Sequence, residues 1–192
     1  MEFKEQKIIF LKGKKSILRP LNKKTDLESC VRWVNDQEVI EYLSIYLPSS
    51  EQDEEEWFDG LQKRKNDVIL GIETLKGDFI GITGLHQINW KDRTANHGVI
   101  IGEKDHWGNG CGTDSHMTLL NYAFNTLNLH KIHSSAVGFN ERSINYHLTC
   151  GYQNEGRRRK QIYKKGEYWD LILFGVFKEE WLAAHEKHQN KK

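Results

Sequence analysis

A glycine-rich loop between a predicted strand and a predicted helix constrains this chain more than any other feature of its sequence. The loop reads Gly108-Asn109-Gly110-Cys111-Gly112-Thr113. Alternate glycines let a backbone approach a ligand closely and adopt positive φ. The helix that follows repeats apolar residues at spacings of three and four, at Met117, Leu120, Phe124 and Leu127. The free N–H groups of such a loop, together with the positive end of the helix dipole, predict a cradle for a pyrophosphate.

The loop by itself leaves two interpretations open. It lacks the Gly-Lys-Ser/Thr ending of a P-loop, and its GxGxG spacing differs from that of a dinucleotide-binding fingerprint. A tight strand-to-helix turn could need the same glycines for steric reasons only. The surrounding sequence therefore has to decide between an anion site and a simple turn.

The order of the predicted elements is typical of an α+β domain. The chain has 192 residues, about the length of one domain. A hairpin and two helices come first, and strands, the loop helix, a strand, a second helix and two final strands follow. Asp26 is expected to cap the first helix, and Ser49 or Ser50 the next. We expect a single domain over residues 1–180 around a mixed, mainly antiparallel sheet, and a polar tail over residues 181–192. The segment Lys178–Lys192 is expected to begin as a short helix that frays into this tail.

Charge and cysteine content argue against several classes of function. Lys and Arg number 28 and Asp and Glu 27, so the net charge is +1, whereas nucleic-acid and anionic-membrane binders normally have a basic excess. The three cysteines, Cys30, Cys111 and Cys150, form no CxxC pair, so neither a disulfide framework nor a zinc site is expected. The longest apolar run, 171–177, is far shorter than the roughly 20 residues of a membrane helix. We expect a cytoplasmic protein with reduced thiols, no metal, and no nucleic-acid or membrane partner.

Further segments surround the loop in a definite order. Before the loop come Phe79-Ile80-Gly81-Ile82-Thr83-Gly84-Leu85 and Val99-Ile100-Ile101-Gly102-Glu103. After it come Asn140-Glu141-Arg142-Ser143-Ile144 and then Gly151-Tyr152. This ordered set, within residues 79–181, resembles the GCN5-related N-acetyltransferase (GNAT) superfamily, in the branch of ribosomal-protein and diamine acetyltransferases. The whole set is far more specific than the loop alone.

The resemblance implies a fold, a co-substrate and a set of binding residues. The fold would be a twisted, mainly antiparallel sheet flanked by helices, whose splayed central strands hold acetyl-CoA. Backbone groups of Ile100 and Ile101 would pair with the pantetheine arm, while Asn140 and Ser143 would bind its amides or the thioester end. The pyrophosphate would be held by Trp107, Gly108, Asn109, Gly110, Cys111, Gly112 and Thr113.

The acceptor side departs from the pattern of that branch. Asn96 stands where the branch often has a glutamate base, and an amide cannot take a proton. His147 stands where the branch tends to place a tyrosine that protonates the leaving thiolate, with Tyr146 one residue earlier. Histidine suits proton transfer near neutral pH, and on a helix Tyr146 points about 100° away from His147. The candidate catalytic residues are therefore His147, Tyr146 and Asn96, with His147 as the expected acid and transfer through water as the alternative.

The expected activity is acetyl-CoA-dependent transfer to a primary amine, by direct attack in a ternary complex. The amine would belong to a protein N-terminus, an amino acid or an amino-sugar. Polyamine-acetylating members carry extra carboxylates on these strands, where this chain has Gly84, Gln87 and Asn96. A polyamine acetyltransferase stays an alternative because of the acidic run 53–56, and an acyl-CoA-binding module with reduced catalysis is another. We expect a monomer or a homodimer.

Overall fold

Eight strands form one sheet in the computed structural model, which describes residues 8–190. Glycine-containing turns close three of the hairpins, and β-branched and aromatic residues are common in most of the strands. They are β1 (Leu11–Lys12), β2 (Ser16–Pro20), β3 (Val68–Thr74), β4 (Phe79–Asn89), β5 (Thr94–Ile101), β6 (Lys131–Val137), β7 (Gln153–Lys164) and β8 (Glu167–Phe177). Their order is β1-β2-β3-β4-β5-β6-β8-β7, and β5 and β6 run parallel while the other neighbours are antiparallel. The expected mixed, mainly antiparallel sheet is confirmed.

Helices pack against both faces of this sheet. They are α1 (Lys23–Val34), α2 (Gln37–Ile40), α3 (Glu51–Gly60), α4 (Cys111–Asn125), α5 (Glu141–Thr149) and α6 (Lys178–Asn190). Ser50 caps α3 as expected, in a reciprocal capping box with Asp53. The acidic first turn of α3 therefore complements the helix dipole.

The expected cap of α1 at Asp26 is wrong. Asn22 caps this helix, because its side chain accepts a hydrogen bond from the Lys24 N–H at 3.0 Å. The buried Asp26 carboxylate instead accepts two hydrogen bonds from the Arg19 guanidinium, at 2.7 and 2.8 Å. A charge-assisted, bidentate pair with a neighbouring strand is a stronger interaction than a cap, and the sequence around Asp26 does not reveal that partner.

Two hydrophobic clusters lie on opposite faces of the sheet. The larger cluster includes Phe124 of α4 and Trp181 of α6, and the smaller includes Trp33 of α1. Two successive residues of β5 pack against different clusters: Ile100 contacts the smaller cluster and Ile101 the larger. This alternation follows from the pleat of the strand, and it leaves the backbone of β5 sandwiched between two packed layers.

The C-terminal segment forms a helix, as expected from residue 178, and this helix continues to Asn190. Trp181 is 1% exposed and packs on Phe124 with ring centroids 5.6 Å apart. Burial of an aromatic side chain of this size secures α6 against α4 and makes the helix part of the domain. Within residues 8–190, no helix combines the length and the apolar character that crossing a membrane requires.

Candidate active site

The two parallel central strands separate from each other part of the way along. β5 and β6 are paired only at Thr94↔Lys131, Ala95↔Ile132 and Asn96↔His133. Beyond these pairs β5 continues to Ile101 and β6 to Val137, and within the described residues no strand fills the gap between them. Backbone N–H and C=O groups along such a gap can hydrogen-bond an extended ligand as a strand would.

The glycine loop lies at one end of this gap. Gly108 and Gly110 have φ of 78° and 83°, in the left-handed region that favours glycine. Gly112 lies in the first turn of α4 without a positive φ, so only two of the three loop glycines use the left-handed conformation. Because α4 begins at Cys111, its first N–H groups have no intrahelical acceptor. These donors and the helix dipole have the character that binding an anion requires, and we call residues 107–113 the cradle.

Neighbouring side chains hold the loop in place. Trp107 Nε1 donates a hydrogen bond to the Ile101 carbonyl oxygen at 2.6 Å, which ties the loop to the end of β5. Lys15 Nζ donates to the Asn109 carbonyl oxygen at 3.0 Å and adds a positive charge to the loop. The buried Asp114 carboxylate of α4 accepts from the Lys15 N–H at 2.9 Å, so the β1–β2 turn is attached to the same helix. The cradle is therefore positioned by strand, helix and hairpin together.

One cavity of about 750 Å³ begins at the loop, follows the gap, and ends between the segments 39–46 and 161–164. We call these the loop end and the far end of the cavity. Side chains from three different elements line its middle: His97, Ser134, Asn140, Ser143, Tyr146 and His147. Aromatic, aliphatic and cationic groups line the far end: Val39, Tyr42, Tyr46, Ile162, Tyr163 and Lys164.

The charges around the cavity are positive. Among the described residues that line it, none is an aspartate or a glutamate, whereas Arg142 and Lys164 carry cations. The Arg142 guanidinium carbon lies 4.3 Å from the Trp107 ring centroid and 5.3 Å from that of Tyr42. Arg142 thereby connects the loop end to the far end across the cavity. Burial lowers the pKa of Lys164, whose Nζ donates to the Ile40 carbonyl oxygen at 3.0 Å.

His147 is held by hydrogen bonds at both ring nitrogens. Its Nδ1 lies 2.7 Å from the Ser143 carbonyl oxygen, and its Nε2 lies 2.7 Å from Ser134 Oγ. The ring stacks on Phe174 at 4° with centroids 4.8 Å apart, and the residue is 3% exposed. Burial lowers the pKa of His147 to about 4, while the hydrogen bond to the Ser143 carbonyl opposes that shift. The imidazole is therefore neutral at neutral pH.

A buried stack of rings borders the same part of the cavity. The rings of His97 and His116 are nearly parallel with centroids 3.6 Å apart, and Tyr146 stacks on His116 at 5.0 Å. Burial lowers the pKa of both histidines well below 6.5 and raises the pKa of Tyr146 well above 10. Among the described residues, the Tyr146 hydroxyl has no hydrogen-bond partner. All three rings are neutral at neutral pH.

The other expected site residues fall into two places. Asn140 caps α5, and its Oδ1 accepts from the Ser143 N–H at 3.0 Å, so these two line the cavity beside His147. Asn96 is exposed, and its Nδ2 donates to Gln87 Oε1 at 3.0 Å, outside the residues that line the cavity. The structure thus brings His147, Tyr146 and Asn140 together and leaves Asn96 on the outer surface.

Sequence reasoning missed several residues of this site. Ser134 is one serine in a short strand, and Tyr42 and Lys164 lie in segments without a recognisable motif. Arg142 stands inside the quoted Asn140 segment, but nothing in that segment predicts its contact with Trp107. These residues become part of one site only through the sheet order, which places β6 beside β5 and β8 and β7 beyond β6. The assembled cavity can hold a long, phosphate-bearing ligand next to a second, smaller molecule.

Comparison with known proteins agrees with this geometry. A family model described as acetyltransferase (GNAT) domain matches residues 15–153. The uncharacterized, SPbeta prophage-derived N-acetyltransferase YokL of Bacillus subtilis is 26% identical over 151 residues, or 78% of this chain and 84% of the relative. Spermidine N(1)-acetyltransferase of Vibrio cholerae is 28% identical over 115 residues, 60% of this chain and 66% of the relative. The crystal structure of the Vibrio cholerae spermidine N-acetyltransferase in complex with CoA and spermine has the same fold, with a TM-score of 0.81, 24% identity and coverage of 87% of this chain and 98% of that one.

Proposed function

This chain belongs to the acetyltransferase (GNAT) family. We propose that its acceptor is a molecule with one primary amine, which attacks the thioester directly in a ternary complex. Membership of the family makes the chain an N-acetyltransferase with acetyl-CoA as its acetyl donor. The proposal specifies the acceptor, the direct route of acetyl transfer and the residues that take part in the transfer. The acceptor is a protein N-terminus, an amino acid or an amino-sugar.

The loop end of the cavity fits the donor. Residues 107–113 would hold the pyrophosphate with their N–H groups, and backbone groups of Ile100 and Ile101 would pair with the pantetheine arm in the gap. Asn140 and Ser143 stand where they would bind its amides or the thioester end. The donor supplies an activated thioester, whose carbonyl carbon is attacked by the amine.

The observation that carries the proposed route is the continuity of the cavity. Its loop end and far end belong to one space, so both substrates can be bound at once, which makes a direct attack possible. A covalent acetyl-cysteine intermediate is disfavoured, because burial raises the pKa of Cys111 and raises that of Cys30 to about 12. A thiol with a raised pKa is a poor nucleophile at neutral pH.

The charge of the cavity favours a single amine over a polyamine. A polyamine carries several positive charges, and the lining residues within the described chain offer it no carboxylate. The acidic first turn of α3 is engaged in capping at Ser50 and lies outside the lining residues. Polyamine acetylation remains the second candidate, because the Vibrio cholerae relative is a spermidine N(1)-acetyltransferase.

An amine panel tests this function. The protein is incubated with acetyl-CoA and, separately, a short peptide with a free N-terminus, free amino acids, glucosamine and spermidine, while released thiol is followed. We expect the highest kcat/KM with one of the single amines. A higher value for spermidine would favour the second candidate, and acetyl-CoA binding without turnover of any amine would favour a binding module that has lost catalysis.

A further inference from the structure

Ser134 and His147 form a hydrogen-bonded pair where the central strands separate, and we propose that this pair carries the proton of the attacking amine to the leaving sulfur. The inference rests on the proposed function, since it concerns the same acetyl transfer. In this pair Ser134 is the catalytic residue. His147 is a positioning residue, which orients the Ser134 hydroxyl and accepts its proton for the duration of the transfer. The expectation that His147 itself meets the thiolate is thereby replaced by a role for the serine.

The hydrogen bonds determine which atoms carry protons in the resting enzyme. The Ser143 carbonyl oxygen can only accept, so the neutral His147 ring must carry its proton on Nδ1 and donate it there. Nε2 therefore has a lone pair, and the Ser134 hydroxyl must donate to it at 2.7 Å. The His97 carbonyl oxygen, at 3.3 Å from the same Oγ, is the weaker acceptor of that single proton. The lone pairs of Ser134 Oγ are left to accept a proton from another donor.

The surroundings keep the pair neutral until it is used. The titratable side chains facing the His147 ring are Tyr146 of its own helix, His116 of α4 and Tyr152, with ring centroids 5.0, 6.4 and 5.2 Å away. Burial raises the pKa of both tyrosines and lowers that of His116. It also lowers the pKa of His97 of β5, which interacts electrostatically with His147, so none of these four groups is charged at neutral pH. From β8, the ring meets the apolar Phe174. The neutral imidazole therefore keeps a lone pair on Nε2, and because burial disfavours the imidazolium, the ring would hold an added proton only transiently.

The transfer balances in atoms and electrons. The amine nitrogen forms a bond to the thioester carbonyl carbon, and the carbon–sulfur bond breaks with its electron pair on sulfur. The positively charged nitrogen gives a proton to Ser134 Oγ as the hydroxyl proton of Ser134 moves to His147 Nε2. The imidazolium then returns a proton through Ser134 to the sulfur, so the products are the amide and a free thiol, and the enzyme is unchanged. Asn96 could not begin this sequence, because an amide has no basic lone pair.

A measurement on the enzyme without substrates tests the proton positions. Nitrogen-15 NMR distinguishes the two neutral tautomers of a histidine ring. We expect the Nδ1–H form for His147 at pH 7 in the wild type. A change in the Nε2 shift is expected in Ser134→Val, where Nε2 loses its hydrogen-bond donor, but not in Ser134→Thr, which keeps a hydroxyl. An Nε2–H tautomer in the wild type would overturn the proposal whether or not any amine is acetylated.

Kinetics with the same two variants test the catalytic role. Thr and Val have nearly the same shape and both suit a strand, so the pair differs only in the hydroxyl. We expect Ser134→Val to lower kcat by about 100-fold relative to Ser134→Thr, the usual effect of a positioned proton-transfer group. Acetyl-CoA affinity should be equal in the two variants. Equal kcat values would contradict the pair and leave the proposed acetyl transfer standing, whereas a wild type inactive on every amine would contradict the proposed function itself.

Discussion

The loop end and the far end of the cavity are built in different ways. Residues 107–113 are contiguous and offer backbone N–H groups, so their binding property depends on the shape of one short segment. The far end combines side chains of residues 39–46 with those of residues 161–164, more than a hundred positions along the chain. A binding site made of backbone groups depends on the spacing of glycines within one segment. A binding site made of side chains forms only when segments distant in sequence come together in the fold.

The middle of the cavity differs from the loop end in its response to pH. Backbone amides do not titrate, but His97, His116 and His147 are buried as neutral rings. An unfolded histidine takes up a proton below a pKa of about 6.5, whereas these rings resist protonation in the fold. The unfolded chain therefore binds more protons than the folded one as the pH falls, and stability must fall with it.

The largest effect we expect is acid destabilisation between pH 7 and pH 5. With a folded pKa of about 4, His147 alone should remove about 2 kcal/mol from the free energy of unfolding over this range. His97 and His116 should add to this loss, because their pKa values are also lowered by burial. Urea unfolding at several pH values measures it.

A matched variant identifies the source of this pH dependence. His147→Gln should be less stable than the wild type at pH 7 but should lose less additional stability on going to pH 5. The interpretation would be contradicted by a urea midpoint that is the same at pH 5 and pH 7 in the wild type.

The second prediction separates close ligand approach from backbone conformation in the loop. A Cβ at Gly112 would meet only the Ile101 side chain, at 3.6 Å, so Gly112→Ala should fold with unchanged or slightly raised stability. We nevertheless expect about a tenfold weaker acetyl-CoA affinity, because the methyl group would occupy the space of the ligand. Calorimetric titration measures the Kd. Gly60→Ala, at the end of α3 with open space around it, is the control and should bind normally.

Gly110→Ala provides the contrast within the same loop. Gly110 has a φ of 83°, and a Cβ in this conformation should lower the free energy of unfolding by about 1–2 kcal/mol. Any loss of acetyl-CoA affinity would be additional. If Gly112→Ala binds acetyl-CoA with the wild-type Kd, the loop is only a turn, and the donor site would have to lie elsewhere.

The third prediction concerns Asn140, which both caps α5 and lines the cavity. Asn140→Ala should lower stability by about 1 kcal/mol and raise the KM for acetyl-CoA several-fold. Asn22→Ala is the matched control, since Asn22 caps α1 with a hydrogen bond of the same 3.0 Å length away from the cavity. It should reproduce the loss of stability with an unchanged KM. Equal KM values in the two variants would reduce Asn140 to a helix cap.

The contrast between the two ends also explains what the sequence could predict. The α+β sheet, the loop before α4 and the cap at Ser50 depend on local patterns, and local patterns can be read along the chain. The cap at Asp26 is wrong because Asp26 pairs with Arg19 of a strand, and the burial of Trp181 against Phe124 of α4 was not predicted. Arg19 is only seven residues from Asp26, but their pairing depends on how α1 folds back onto β2, and Trp181 meets Phe124 only when α6 packs on α4.

The same limit applies to the centre of the site. The position of His147 on α5 can be counted from Asn140, but its hydrogen bond to Ser134 depends on how closely α5 packs on β6. The positive character of the far end was equally hidden, because the acidic run 53–56 is prominent in the sequence and lies outside the cavity lining. Side-chain chemistry assembled from separate elements therefore required the three-dimensional structure.

The smallest effect we expect is at Arg142, which joins the two ends by stacking between Trp107 of the loop and Tyr42 of the far end. Lysine keeps the charge but not the planar group that stacks on aromatic rings, and an exposed cation–π contact contributes about 0.5–1 kcal/mol. Arg142→Lys should therefore raise the KM for acetyl-CoA and for the amine by about two- to fivefold each, with kcat little changed. Arg64→Lys is the matched control, since Arg64 stacks on Trp57 at 5.6 Å outside the cavity lining and should leave both KM values unchanged. A change in the KM of only one substrate would mean that Arg142 belongs to that end alone and that the two halves of the cavity bind independently.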